Sequence, residues 1–445
     1  MSYNHTRQMV KLSLPIVAAQ VGHVLTGIVD NYFLGKIGKT EQAAGILSNN
    51  LFIILLVFSI GMSFSMTPQT ADAHVANDDR QKAALFKNGL LLNLLVGVIL
   101  FVLLFISSPL LGYMGQEAEV VRLAVPFFDV LIFSIIPISI FFTCKQYCEG
   151  LSNTRASMYI SIVGNLLNIL LNYMLIYGKC GLPAMGYMGS CWATFIARTF
   201  MGFSFLLFVF NRKAVNSFRV YFREVSINAS HFFGLLRMGI GFAMQSTFEV
   251  TAFAIAGIMS GVFGKESLDS HGIALSMAAF TFMFASGLGA ASTIQVSTFA
   301  ASKDKVNLKL AVRHSFKLVL ITMSFMALMF VVLHNWLSSV FSSDPAIIEM
   351  ASNLMLFAAM FQLFDGIQVV AISILRGLED VRYPTAVTFF GYWLIALPLA
   401  YFFGFEWHMQ VYGIWLALSI SLLFVAVCLF FRIRYLLSKT EKLDL

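Results

Sequence analysis

Along the chain, apolar stretches of roughly 20 residues alternate with short polar segments, and within each stretch hydrophobic residues occupy every side of a helical wheel. A helix that is apolar all round suits lipid, because its backbone groups are satisfied internally and its side chains lose nothing by facing hydrocarbon. Crossing about 30 Å of hydrocarbon at 1.5 Å per residue takes roughly 20 residues. Twelve segments qualify, near 10–34, 43–68, 88–107, 120–143, 155–177, 186–210, 232–260, 272–298, 310–334, 346–374, 382–404 and 409–434. The alternating dyads of an outer-membrane barrel are absent. The pattern therefore predicts an all-α integral membrane protein with twelve transmembrane helices.

Composition agrees and narrows the function. The 445 residues are 59% hydrophobic and 11% charged, where a soluble domain carries roughly 25% charge. A soluble enzyme, a disordered chain and a nucleic-acid-binding domain are thereby excluded. The net charge of +7 reports orientation: 23 of the 29 Lys and Arg fall on segments that are cytoplasmic if both termini are, and only five on the opposite loops. The first apolar segment lacks a small-residue cleavage site and is expected to be retained. Five scattered cysteines give no disulfide framework, and Cys144 and Cys148 share a face without further ligands for a metal.

The two halves resemble each other. Gly150-Leu151-Ser152-Asn153-Thr154-Arg155 matches Gly377-Leu378-Glu379-Asp380-Val381-Arg382 at an offset of 227. Gly45 with Gly272, Gly61 with Gly289, Gly164 with Gly391 and Gly189 with Gly413 follow at 224–228. Six spans is an even number, so the repeats are parallel, and two six-helix lobes around a central cleft are expected. The domains then read 1–210 as the N-terminal lobe, 211–231 as a basic cytoplasmic linker, 232–434 as the C-terminal lobe and 435–445 as a cytoplasmic tail. Two lobes that rock about a central site are a transport architecture; a channel or a membrane enzyme is the competing reading.

Ionisable groups inside the membrane are costly, so each is a candidate for function. Asp30 shares a stripe with Thr26 and His23, and Ser161, Asn165, Asn168 and Asn172 line one face of the fifth span, with Thr194 in the sixth. Such amides can join helices, or can surround a carboxylate as an oxygen-rich cage for a proton relay or a hard cation. In the second lobe Glu249 has Gln245 one turn before it, and Asp365 has Gln362 at i−3. Either acid can bond its amide in both protonation states, or the set can be structural. The acids do not repeat between lobes, so the lobes have specialised. Asp129 and Arg198, also at mid-membrane, are expected to pair structurally.

No HExxH, GxSxG or GxxxxGK[ST] occurs, so neither a hydrolase nor an ATP-driven pump is supported, and no enzyme is expected. Val29-Asp30 with Gly35 and Gly38, the run GMSFSMTPQTADA after the second span, the paired GLxxxR loops and the acids Glu249 and Asp365 resemble the MATE (multidrug and toxic compound extrusion) transporters, NorM-like branch, over essentially the whole chain. Where many members have Ala-Gln-x-x-Gly-Ala, this chain reads Ala71-Asp72-Ala73-His74-Val75-Ala76. The resemblance implies an antiporter that exports amphipathic, often cationic compounds by alternating access, driven by Na⁺ or H⁺ and needing no cofactor. It implies Glu249 and Asp365 as cation ligands, with Gln245 and Gln362 beside them. Asp30, Asn168, Asn172 and Thr194 are implied for substrate and proton coupling. It also implies a bacterial inner membrane and a monomer. A flippase for lipid-linked saccharides is the alternative, against which four mid-membrane acids face one Arg.

Overall fold

A computed structural model describes residues 4–113, 115–211 and 221–442. The described residues are helical, with no strand among them: α1 (His5–Ile37), α2 (Lys39–Ser63), α3 (Met66–Val75), α4 (Asp79–Ser107), α5 (Ala118–Phe133), α6 (Ile135–Gly150), α7 (Thr154–Tyr177), α8 (Tyr187–Asn211), α9 (Ala229–Val262), α10 (Lys265–Ala301), α11 (Lys305–Phe341), α12 (Pro345–Gly377), α13 (Arg382–Phe389), α14 (Leu397–Tyr401) and α15 (Gln410–Lys442). Among the described residues, eleven continuous helical stretches are long and apolar enough to span a membrane. The pair α5 and α6, bent by 41° at Ser134, supplies a twelfth. Residues 212–220 of the expected linker and 443–445 of the expected tail lie outside the described residues.

The eleventh span is not a uniform helix. Between α13 and α14, and again after α14, Phe390–Ala396 and Phe402–Glu406 are wider π turns. Pro398 in α14 has no N–H to give to the preceding turn, and widened turns are one way a helix absorbs such a loss. Their effect is to shift the register of every side chain that follows.

The helices form two compact units, residues 18–243 and residues 1–17 with 244–445. This division differs from the 1–210 and 232–434 lobes drawn from the sequence. The start of α1 packs with the second unit, where a Cβ on Gly287 would meet Val17 Cγ2 at 2.3 Å and the Ser13 carbonyl at 3.4 Å. The start of α9 packs with the first unit, where a Cβ on Gly61 would meet Ala243 Cα at 2.4 Å. Each unit thus takes the opening segment of the other's first helix, because the small face needed to receive it lies on α2 and on α10. These equivalent contacts make Gly287, and not Gly289, the counterpart of Gly61; Gly289 lies against Ser373 instead.

Atomic detail repeats between the units. After α6, Asn153 N bonds Cys148 O at 2.8 Å and Ser152 has φ 59°; after α12, Asp380 N bonds Leu375 O at 2.9 Å and Glu379 has φ 58°. These are the same helix-ending turn, in which the left-handed residue lets later N–H groups reach back to the last free carbonyls. Asp78 accepts from Gln81 N and caps α4; Asp304 accepts from Asn307 N and Nδ2 and caps α11. Those bonds hold the Asp304 carboxyl below its ordinary range. Gly150 and Gly377 each approach the carbonyl of a threonine, Thr67 and Thr293, whose hydroxyls in turn bond the Gln146 and Ser373 carbonyls.

Candidate functional site

In the first unit, α7 presents Asn165, Asn168 and Asn172 on one buried face. Asn172 Nδ2 donates to Asp30 Oδ1 at 2.7 Å and to Asn168 Oδ1 at 3.0 Å, and Asn168 Nδ2 donates to Thr194 Oγ1 at 3.2 Å. Asp30, Asn172, Asn168 and Thr194 therefore form one continuous ladder across α1, α7 and α8. The rest of the expected stripe does not join it. Thr26 donates back to the Gly22 carbonyl at 2.9 Å, and His23 is an exposed residue on the same helix. Two polar atoms near the ladder, Asn172 Oδ1 and Asn165 Nδ2, are buried without a partner. A cage that still has a free amide oxygen as acceptor and a free amide N–H as donor can bind a ligand without first breaking its own bonds.

Arg198 enters this neighbourhood from α8. Its Nη1 donates to Ser134 Oγ at 2.7 Å, and its guanidinium lies 4.8 Å from the centroid of Phe52. The pairing with Asp129 expected from the sequence is not formed: Asp129 accepts from Ser108 Oγ at 3.0 Å. The charge that acts on Arg198 is that of Asp30. Two charges at similar depth pair only if their helices also point them at each other, and here α5 turns Asp129 towards the loop after α4. A double-mutant cycle in thermal stability is expected to show coupling between Asp30→Asn and Arg198→Gln, on the order of 0.5 kcal/mol or more. The cycle of Asp129→Asn with Arg198→Gln is expected to be additive; coupling there and none with Asp30 would reverse this assignment.

In the second unit the acids are held differently. Glu249 Oε1 accepts a 3.0 Å hydrogen bond from Tyr392 Oη, and the Tyr392 phenol oxygen in turn accepts from Gln368 Nε2 at 2.6 Å. Asp365 is 4% exposed, and its charge and that of Glu249 repel each other across the α9–α12 contact. Arg376 supplies an attractive charge to Glu249. Gln245 is not bonded to Glu249: its Nε2 donates to Thr385 Oγ1 at 2.9 Å and tethers α9 to α13. Both amide atoms of Gln362, which is 1% exposed, are without a partner. Gln362 is thus a free donor and acceptor one turn from Asp365.

Tyr392 and Gln368 were not singled out from the sequence. Gln368 lies three residues beyond Asp365 on α12, a spacing that would have shown it. Tyr392 sits in the π turn Phe390–Ala396, where helical periodicity gives no guide. No group of three His, Cys, Asp or Glu able to hold a metal occurs among the described residues, so a cation at Glu249 and Asp365 would be completed by neutral oxygens. Phenol, amide and carboxylate oxygens suit a hard monovalent cation or a proton better than a soft transition metal.

Buried carboxylates at membrane depth, held by neutral donors in two repeated helical units, define a membrane transporter of the repeat-built class. The family model MatE matches residues 15–174 and 241–402, one block for each repeat. The chain belongs to this family, the multidrug and toxic compound extrusion transporters, and within it is NorM-like. It is 29% identical to multidrug resistance protein NorM of Vibrio vulnificus strain YJ016, over 98% of this chain and 97% of that one. It is also 29% identical to multidrug resistance protein MdtK of Yersinia pseudotuberculosis serotype O:1b, over 97% and 95%. Among solved structures, the eukaryotic MATE transporter AtDTX14 superposes with a TM-score of 0.89 at 16% identity, covering 99% of both chains. An outward-facing multidrug resistance MATE family transporter gives 0.90 at 17% identity, covering 99% and 97%, and these likenesses bear on the fold.

Proposed function

We propose that this protein exports small amphipathic organic cations from a bacterial cell by alternating access, in exchange for Na⁺ or H⁺, with both termini cytoplasmic and the monomer as the working unit. Family members are transporters. The observation that carries the coupled reading is the difference between the two units. One holds a single acid, Asp30, on an amide ladder; the other holds two mutually repelling acids, Glu249 and Asp365, the first of them bonded by the Tyr392 phenol. Repelling acids gain most from a bound cation, so Glu249 and Asp365 are the coupling-ion site, with Gln362 within reach as a neutral ligand. Asp30 is the acid whose protonation releases a cationic substrate, because only differential affinity for the two charge states can shift the transport equilibrium.

The test is efflux of a fluorescent organic cation from proteoliposomes under a Na⁺ gradient and under a pH gradient imposed separately. Export driven by either gradient supports the reading and identifies the ion. Movement of no tested cation under either gradient, with transfer of a lipid-linked saccharide instead, would replace it by the flippase reading.

A further inference from the structure

We propose that the seam between the starts of α1 and α11 binds the phosphate of an anionic phospholipid, with Arg7, Lys11, Arg313 and Lys317 as its cationic ligands. The two helices are joined there within one unit: Thr6 Oγ1 and His314 Nδ1 share a hydrogen bond of 2.8 Å, and His5 Nε2 and Asn307 Oδ1 share one of 2.9 Å. Arg7 follows Thr6 and Arg313 precedes His314, so the bonded pair brings the helices together at the level of the two arginines. Each arginine has a lysine four residues on, along the same side of its helix. All four side chains are exposed, and none is paired with an acid among the described residues. The inference does not depend on which compound or ion the protein carries.

The depth is that of a headgroup. On α11 the exposed face runs from Arg313 and Lys317 into Leu320, Ile321, Phe325 and Leu328, and on α1 from Arg7 and Lys11 into Leu14. Apolar residues exposed on a spanning helix face hydrocarbon, so cations that continue the same face lie where acyl chains end and phosphates begin. Their aliphatic stems cover apolar surface while the charged heads reach the phosphate level. Like charges four residues apart repel on a helix, and two such pairs on bonded helices stay unfavourable until an anion joins them. Phosphate oxygens match the fork of a guanidinium. A cavity of about 330 Å³ lined by Asn4, Arg7, Gln8 and Lys11 adds two amides beside the α1 cations. The charges are not a by-product of the repeat. Asp78 and Asp304 cap equivalent helices 226 residues apart, and at that offset Arg313 and Lys317 correspond to Lys87 and Leu91. Lys87 is spent on the Phe222 and Val225 carbonyls at 3.2 and 2.7 Å, so α4 offers no such pair.

The experiment titrates the purified transporter in neutral detergent with phosphatidylglycerol, with phosphatidylcholine and with inorganic phosphate, and counts the bound molecules by native mass spectrometry. Phosphatidylglycerol is expected to bind in preference to the other two. Arg313→Gln with Lys317→Gln should weaken it by about tenfold, and Arg7→Gln with Lys11→Gln likewise, since each cation near an anionic lipid surface contributes a comparable attraction. Arg313→Lys keeps the charge and should keep the preference. The control is Arg80→Gln with Arg155→Gln, which removes the same charge from exposed positions of the first unit and should leave binding within about twofold. Thermal midpoints in detergent check that each variant is folded, and single substitutions replace any pair that lowers them. Equal binding of the two lipids overturns the proposal, as does an equal loss in the control pair, which would reduce the effect to net charge. Inorganic phosphate that binds as tightly as phosphatidylglycerol would assign the cations to a free anion and overturn the lipid.

Discussion

Glu249→Gln is expected to abolish the gradient-driven component of export while leaving a folded, inserted protein. The amide retains an oxygen for the Tyr392 hydroxyl, so the hydrogen bond at 3.0 Å survives in neutral form and the contact between α9 and the eleventh span is kept. What disappears is the charge. Coupling between an ion and a substrate is a free energy of about 1–3 kcal/mol, that is roughly 5–150-fold in affinity, and in the proposed exchange it requires acids that can change charge. A side chain that cannot change charge supplies none of it, so accumulation ratios in proteoliposomes should fall to those seen without a gradient. Thermal stability should not fall with them. Removing one of two repelling acids relieves the repulsion between Glu249 and Asp365, and the midpoint in detergent is expected to hold or rise. A large loss of stability together with loss of transport would mean that Glu249 is a structural hydrogen-bonding residue. Retained coupling would mean that the ion binds elsewhere.

The first unit's ladder was legible in the sequence for a physical reason: Asn165, Asn168 and Asn172 lie on one helix, and fixed helical geometry converts their spacing into a shared face. Asp30 and Thr194 could be added because polar groups buried in lipid must find one another, and few others were available. The same rule failed for Asp129 and Arg198. Depth follows from position along a span, but the direction in which a side chain points depends on how each helix is rotated and packed. Ser108 and Ser134 lay nearer than either charge did to the other. Gln245 shows the limit again: beside Glu249 in sequence, it is spent on Thr385, which is 140 residues away.

The second unit's centre was half legible. Both acids stand out by charge, whereas Tyr392 is an ordinary aromatic in an aromatic-rich span, brought to Glu249 by π turns around Pro398 that no period of 3.6 describes. The exchange of helix starts was equally hidden. Glycines at a constant offset revealed the repeat, but not that Gly61 receives Ala243 and Gly287 receives Val17. A small residue signals a close approach without identifying the partner.

That exchange carries the second large effect. Gly61→Ala is expected to cost on the order of 3 kcal/mol or more, read as loss of folded protein or of thermal midpoint in detergent. The added carbon would stand 2.4 Å from Ala243 Cα, 2.8 Å from its nitrogen and 2.9 Å from the Phe242 carbonyl. All three are backbone atoms, so no rotamer change relieves the overlap; the start of α9 would have to move off α2. Gly287→Ala, at the equivalent place, meets the Val17 side chain at 2.3 Å, with Val17 N at 3.3 Å behind it. A valine methyl group can yield where a backbone cannot, and the expected cost is about 1–3 kcal/mol. Gly272→Ala meets nothing within 4 Å and should be neutral or stabilising, by up to about 1 kcal/mol, since alanine is the better helix former. If Gly61→Ala proved as mild as Gly272→Ala, the start of α9 would not be packed against α2. The assignment of the opening segment of α1 to the second unit and of α9 to the first would then have to be abandoned in favour of the simple 1–210 and 232–434 division.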